Sequence, residues 1–152
     1  MEAAVGPNRE ALASVQQHTP PGTWSEGLLK GLLIVGYGID LTRHTRHNWP
    51  PAALRMFERP SPGPDLEKLL GETLAALELG EEAHSRTSML GRRVIAELSA
   101  QTQRIASRAP ELVRALTGVR AGSEDEVSSS VALLQGLVEG AAQRMLALGF
   151  QP

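Results

Sequence analysis

The chain is built around the run Gly27-Leu-Leu-Lys-Gly-Leu-Leu-Ile-Val-Gly-Tyr-Gly-Ile-Asp-Leu41, its most hydrophobic stretch. Thr23-Trp-Ser-Glu26 precedes this run in the pattern of a capping box, in which a threonine hydroxyl and a later glutamate satisfy free amides of the first helical turn. Asn48-Trp49-Pro50-Pro51 follows it, and proline cannot continue a helical hydrogen-bond ladder. We therefore predict a central helix over residues 24–47.

Four glycines lie inside this predicted helix, at positions 27, 31, 36 and 38. Each one costs about 1 kcal/mol relative to alanine in a helix interior. The pattern favours a helix packed closely against a neighbouring backbone. The alternative is a break near Gly36-Tyr-Gly38, since local breaks often accompany ligand sites.

Composition indicates one globular, all-α domain over residues 1–152. The chain is 41% hydrophobic, 21% charged and only 3% aromatic, and an aliphatic core of this kind is typical of helices packed on helices. No stretch alternates polar and apolar residues as a half-buried strand does. We predict a single-domain helical bundle of three long helices with two or three short ones, and no sheet.

Apolar spacing, prolines and glycines place the remaining helices. The short helices are predicted over 8–17, 51–58 and 110–117, and the other long ones over 66–107 and 124–148. Gly80 is a possible break in the second long helix, and Asp65 is its predicted N-cap. Three prolines make residues 59–64 a stiff connection within the domain. Ser123-Glu-Asp-Glu126 predicts a second capping box.

Several features predict a cytoplasmic protein without a membrane anchor. The sequence has no cysteine and a net charge of −2 at pH 7. Its first residues show neither the basic nor the apolar region of a secretory signal. The central hydrophobic run is shorter than the ~20 residues of a membrane-spanning helix, and Lys30 and Asp40 interrupt it.

Two helical pairs form a candidate metal site. His44 and His47 are three residues apart, as are Glu81 and His84, and this spacing places two side chains on one helix face. If the two helices are antiparallel neighbours, the four residues, with Asp40 as a further ligand, offer donors for Zn, Fe or Mn. The alternative is that His44, His47 and Glu81 lie at the surface, with His84 half-buried. The main prediction is that no cofactor is bound.

A stripe of small residues, Ser128, Ala132, Gly136 and Gly140, repeats every four residues along the last helix. Such a stripe allows another helix to approach closely, either within the fold or across a dimer. With no complete catalytic set in the sequence, the leading hypothesis is a non-enzymatic module for protein–protein interaction or self-assembly, predicted to be a homo-oligomer.

Two rival hypotheses concern a bound ligand. The first is a metal-binding or small-ligand-binding bundle, with a metalloenzyme as one form of it, that uses the His/Glu cluster. The second is an apolar pocket between helices, for which the glycines near Tyr37 make room.

The basic residues argue against a nucleic-acid partner. Seven arginines lie between Arg86 and Arg120, but their positions do not fall on one helical face. Aromatic residues that would stack on bases are missing from this segment. Met89-Leu-Gly91 resembles the turn of a helix-turn-helix only weakly, because it rests on a single glycine.

Overall fold

A computed structural model of the chain describes residues 13–57, 62–119 and 125–152. In these residues every regular element is a helix, which confirms the all-α prediction. Residues 13–18 are helical, and a 3-10 turn, Arg46–Asn48, follows α1. The further helices are α1 (Trp24–Thr45), α2 (Pro51–Phe57), α3 (Gly63–Ala75), α4 (Glu81–Arg108), α5 (Pro110–Thr117) and α6 (Asp125–Ala147). None of the helices described combines the length and the apolar character needed to cross a bilayer.

The central helix α1 is continuous from Trp24 to Thr45. Its predicted capping box is present: the Thr23 hydroxyl accepts from the Glu26 amide at 3.3 Å, and the Glu26 carboxylate accepts from the Thr23 amide at 3.2 Å. The alternative of a break near residues 36–38 is therefore wrong, and the favoured interpretation of close packing holds at part of the helix. A Cβ added at Gly36 would meet the Arg144 side chain, whereas one at Gly38 would meet nothing within 4 Å.

The second long helix is interrupted at the predicted glycine. Helix α3 ends at Ala75, and Gly80 takes an extended conformation as the N-cap of α4. Asp65 is not the N-cap of α3, because the helix begins two residues earlier with Pro62 in that position. Pro64 lies in the first turn of α3. A proline is tolerated there because the amide that it lacks would have no intrahelical partner in any case. The predicted capping box at Ser123 and the beginning of the helix predicted over 8–17 lie outside the described residues.

Helices α1 and α4 run parallel. The Ser25 hydroxyl near the start of α1 bonds to the Thr87 hydroxyl at 3.1 Å, and the Tyr37 hydroxyl farther along bonds to Thr102 at 2.8 Å. Helix α6 runs antiparallel to both, and α3 packs along α1. The buried core draws on α1, α4 and α6 above all; its fully buried aliphatic side chains are Leu29, Leu33, Val94, Leu137 and Met145.

A charged cluster inside this bundle joins three helices. Arg144 of α6 donates to both carboxylate oxygens of Asp40 in α1, at 2.5 and 3.1 Å. Its Nε donates to Glu67 of α3 at 2.5 Å. The Asp40 side chain is 6% exposed and that of Arg144 15%. Burial alone would lower the pKa of Arg144, but the hydrogen bonds to Asp40 and Glu67 outweigh it and the pKa is raised.

Two glycines provide the space for this cluster. A Cβ at Gly36 of α1 would collide with the Arg144 guanidinium, and one at Gly140 of α6 would collide with the Asp40 carboxylate. The ion pair lies between α1 and α6 and occupies the space that side chains at these two positions would fill. One position of the small-residue stripe of α6, Gly140, is therefore explained by the salt bridge.

The N-terminal helical segment 13–18 is attached to the bundle by polar contacts. Lys30, a buried residue of α1, donates from Nζ to the carbonyl oxygens of Thr19 at 2.7 Å and Val15 at 3.4 Å. The Val15 carbonyl also accepts from the Thr19 amide at 3.2 Å and from the Thr19 hydroxyl at 2.5 Å. The Thr19 carbonyl lies past the last helical turn, where intrahelical partners run out. Burial lowers the pKa of Lys30.

Glu97 of α4 holds the other side of the same segment. Its carboxylate accepts from Ser14 at 2.9 Å and from Gln101 at 2.6 Å, and lies 3.2 Å from His18 Nδ1. Hydrogen bonds, first from Gln101 and then from His18 and Ser14, lower the pKa of Glu97 from 4.5 to about 2, against the opposing effect of burial.

Substitution by alanine of two of the α1 glycines, Gly36 and Gly38, is expected to have opposite effects. Gly36→Ala displaces the Arg144 guanidinium and leaves the buried Asp40 with only the more distant Arg43, at 3.5 Å, which should lower the free energy of unfolding by about 2–4 kcal/mol. Gly38→Ala, in open space on the same helix, should raise it by up to ~1 kcal/mol. Urea denaturation of both variants measures the difference; equal effects would contradict the proposed role of Gly36.

The Glu97 contacts predict a specific dependence of stability on pH. Because the folded-state pKa lies below 4.5, the contribution of Glu97 is fully present above that pH and is lost as the pH falls toward about 2. We expect Glu97→Gln to cost about 1–2 kcal/mol at neutral pH and progressively less in this window. Denaturation curves at a series of pH values test this, with Glu139→Gln, an exposed residue of α6, as control. A cost that does not change with pH would refute the assignment.

Candidate binding cavity

The residues of the predicted metal site lie at opposite ends of the molecule. The hypothesis required antiparallel neighbours, but α1 and α4 are parallel. His44 is therefore near the ends of α1 and α4, whereas Glu81 and His84 are near their beginnings. At 1.5 Å per helical residue, the two pairs are separated by about 30 Å.

Each of these side chains has its own surroundings. His44 lies 2.8 Å through Nδ1 from the Asp40 carbonyl oxygen, and His84 stacks on Phe150 with ring centroids 4.7 Å apart. His47 and Glu81 are exposed. Across residues 13–57, 62–119 and 125–152, no three histidine or acidic side chains are placed to share a metal ion.

The small-residue stripe of α6 divides into two halves. Gly140 accommodates the Asp40 carboxylate, and a Cβ at Gly136 would lie 3.0 Å from His44 Nε2. These two glycines face α1 within the fold. Ser128 and Ala132, in the other half, are exposed. Association of the protein through this stripe stays a prediction.

A largely apolar cavity lies beside the exposed half of α6. It has a volume of about 610 Å³, which is within the range of pockets that bind small molecules. Helices α1, α4, α5 and α6 all contribute to its wall. The lining residues are Leu41, Thr102, Gln103, Ile105, Ala106, Pro110, Leu112, Val113, Leu116, Glu126, Val127, Ser130, Val131, Leu133 and Leu134.

The short helix α5 forms one wall and is held in place at two points. Arg114 donates to Glu126 in the first turn of α6 at 3.0 Å and also pairs with Glu111. Asn48, in the turn after α1, donates to the Leu116 carbonyl at 2.8 Å. Gly118 closes the helix with φ at +73°, a left-handed conformation that favours glycine. These contacts join α5 to α6 and to the turn after α1.

The rim carries large apolar side chains that are exposed to solvent. Val127 is 74% exposed, Val131 48% and Leu112 41%. These two valines belong to an apolar stripe along α6, which ordinarily marks a buried face. Its members recur at alternating steps of four and three: Val127, Val131, Leu134, Val138, Ala141, Met145 and Leu148. Here only the C-terminal part of the stripe, including Ala141 and Met145, is buried. The stripe is visible in the sequence, but nothing local distinguishes the half that is buried from the half that lines a cavity.

Two hydroxyl groups of the wall are engaged with the protein itself. The Thr102 hydroxyl donates to the Leu98 carbonyl at 2.9 Å, and its oxygen lies 2.8 Å from the Tyr37 hydroxyl. The Ser130 hydroxyl donates to the Glu126 carbonyl at 2.8 Å. Neither Tyr37 nor the glycines beside it line this cavity, which lies toward the C-terminal ends of α1 and α4. A pocket at Tyr37 itself stays a prediction.

Several arginines of the predicted basic segment bond to groups of the chain. Arg104 pairs with Glu97 at 3.0 Å and Arg86 with Glu82 at 3.4 Å, while Arg93 donates to the His18 carbonyl at 2.9 Å. Gly91 lies in the interior of α4, so Met89–Gly91 does not form the turn of a helix-turn-helix.

No protein-family model matches the chain, and no curated protein sequence matches it. Its function is therefore inferred from the cavity and from the residues around it.

Titration of Tyr37 tests the packing behind the cavity. Burial raises the pKa of Tyr37 above its ordinary value of 10.0. The folded protein then keeps the phenol proton at a pH where the unfolded chain loses it, so stability should decline as the pH rises above 10.0. Because the chain has one tyrosine, the ultraviolet absorbance of phenolate reports it alone. Native and denaturant-unfolded samples should titrate separately; coincident curves would contradict the buried placement.

Proposed function

We propose that the protein is a non-enzymatic binding module and that its cavity binds one small, largely apolar molecule. The observation that supports this proposal is the 610 Å³ cavity, whose wall is supplied mainly by leucine, valine, isoleucine, alanine and proline side chains. An apolar pocket with a few polar groups is the ordinary form of a small-molecule site. Among the described residues, Glu126 is the only ionisable one in the wall.

Energetics favour an apolar occupant. Apolar surface removed from water contributes roughly 25 cal/mol per Å², and a ligand in this cavity covers side chains that are otherwise hydrated, Val127 and Val131 among them. The walls are also held in position by the Arg114–Glu126 pair and the Asn48–Leu116 hydrogen bond. A site with fixed walls loses less conformational freedom on binding.

A protein partner, or a second copy of this chain, is a second candidate occupant of the same face. The observation that favours it is the exposure of three large apolar side chains, Val127, Val131 and Leu112, on one rim. An apolar groove between helices is a common binding site for an amphipathic helix. This candidate keeps the interaction function predicted from the sequence but moves it from the small-residue stripe to the cavity.

Filling the cavity provides the test. Ala106→Trp places an indole in the space lined by α4, and we expect it to reduce the affinity for a neutral solvatochromic dye such as Nile red by at least about tenfold. Ala96→Trp adds the same side chain at an exposed position of the same helix and should leave the affinity unchanged. Dye fluorescence measures binding, and circular dichroism checks that both variants fold.

The outcomes separate the two candidates. Equal dye binding by both variants would contradict a small-molecule site in this cavity. A protein with no affinity for the dye, but with a mass by light scattering that rises with concentration in the wild type and not in Ala106→Trp, would favour association through the same face.

A further inference from the structure

We infer that the polar group of the ligand is a neutral primary carboxamide, held by the side-chain amide of Gln103 at the mouth of the cavity. This inference rests on the proposed small-molecule function and specifies its ligand class. It is carried by the exposure of the wall residues, by the hydrogen-bond partners of the polar ones, and by the side chains that surround Gln103.

The mouth of the cavity is the exposed part of its wall. Among the described residues, five that line the cavity are exposed: Gln103, Pro110, Leu112, Val127 and Val131. The last four have apolar side chains, and a ligand gains affinity when its apolar part covers them and removes them from water. The place at the mouth that suits a polar group is therefore beside Gln103.

Gln103 differs from the other polar residues of the wall in its hydrogen bonding. Thr102, Ser130 and Glu126 each have a hydrogen-bond partner within the chain, whereas no described residue bonds to the Gln103 amide. This amide has two N–H donors and a carbonyl acceptor. A ligand that covers the mouth takes water away from it, and an unsatisfied polar group is costly to bury. The ligand must therefore both donate to Gln103 and accept from it.

A primary carboxamide meets both requirements at once. Its N–H donates to the Gln103 carbonyl oxygen while its own carbonyl oxygen accepts from the Gln103 N–H, so that two hydrogen bonds join the two planar groups. An ester, a tertiary amide or a carboxylate has acceptors only, and an ammonium has donors only. Each of these leaves one part of the Gln103 amide without a partner.

The surroundings of Gln103 on α4 favour a neutral group. Residues three and four positions away share a helix face, and all of these are uncharged: Ser99, Ala100, Ala106 and Ser107. Arg104, the next residue, is bonded to Glu97 at 3.0 Å and to Gln101 at 3.2 Å. On this face of α4 a charged ligand group therefore meets no opposite charge, and it would lose hydration without compensation.

Three compounds with the same tail test the inference by isothermal titration calorimetry: octanamide, N,N-dimethyloctanamide and octanoate. We expect the wild-type protein to bind octanamide about fivefold more tightly than N,N-dimethyloctanamide, the ratio expected for one hydrogen bond. The dimethyl compound is the more hydrophobic of the two, so burial of apolar surface alone predicts the opposite order. Nile red binding, measured in parallel, shows that the cavity is available in each sample.

Substitution of Gln103 locates the polar group of the ligand. Gln103→Leu removes both hydrogen bonds, so the preference for octanamide should disappear. Gln103→Lys places an ammonium at the mouth and should raise the affinity for octanoate about fivefold. Gln143→Lys adds the same charge at an exposed position of α6 outside the wall and should leave octanoate binding unchanged.

Each result has a distinct meaning. Equal or weaker binding of octanamide than of N,N-dimethyloctanamide by the wild type, or failure of all three compounds to bind where Nile red binds, would overturn the carboxamide class and leave the proposed function standing. The same preference in Gln103→Leu as in the wild type, or an equal rise in octanoate affinity in Gln103→Lys and Gln143→Lys, would overturn the role of Gln103. Failure of all three compounds and of Nile red to bind would overturn both the ligand class and the small-molecule site.

Discussion

The structure depends above all on the contact between Arg144 and Asp40. A buried guanidinium is tolerated only when its donors are satisfied, because desolvation of an unpaired charge is far more costly than the loss of one hydrogen bond. Here Asp40 takes two donors and Glu67 a third, so that α1, α3 and α6 meet at one group. Gly36 and Gly140 have no side chains at this point because the charged groups occupy the space. The register of α1 against α6 follows from that geometry.

With α6 fixed near Arg144, its two halves have different environments. The C-terminal half contributes Leu137, Ala141 and Met145 to the core. The N-terminal half has an apolar stripe of the same kind, but Val127 and Val131 in it stay exposed, and α5 is joined to this half by the Arg114–Glu126 pair. The volume left between these helices is the cavity. The cavity therefore lies at the end of the bundle where the wall beside α6 is formed by α5, a helix of only eight residues.

Much of the fold could be predicted from local patterns. The capping box at Thr23, the interruption at Gly80 and the ends of α5 at Pro110 and Gly118 follow from backbone chemistry that acts within a few residues. The direction of α4 relative to α1 does not follow from such rules. This direction separates the two residue pairs of the predicted metal site, because α1 and α4 are parallel. Spacing within a helix places two histidines on one face, but it does not show which end of the neighbouring helix they meet.

The candidate site was harder to predict for the same reason. Val127 and Val131 have the spacing of core residues, and only the tertiary arrangement shows that they are exposed. Likewise, Ser130 and Thr102 are ordinary helix residues until the direction of their hydrogen bonds is known. Each hydroxyl donates to a carbonyl four residues earlier, and Gln103 in the same wall has an amide group that both donates and accepts. The hydrogen-bonding character of the wall therefore depends on the tertiary arrangement that brings these residues together, and a pattern within one helix does not reveal it.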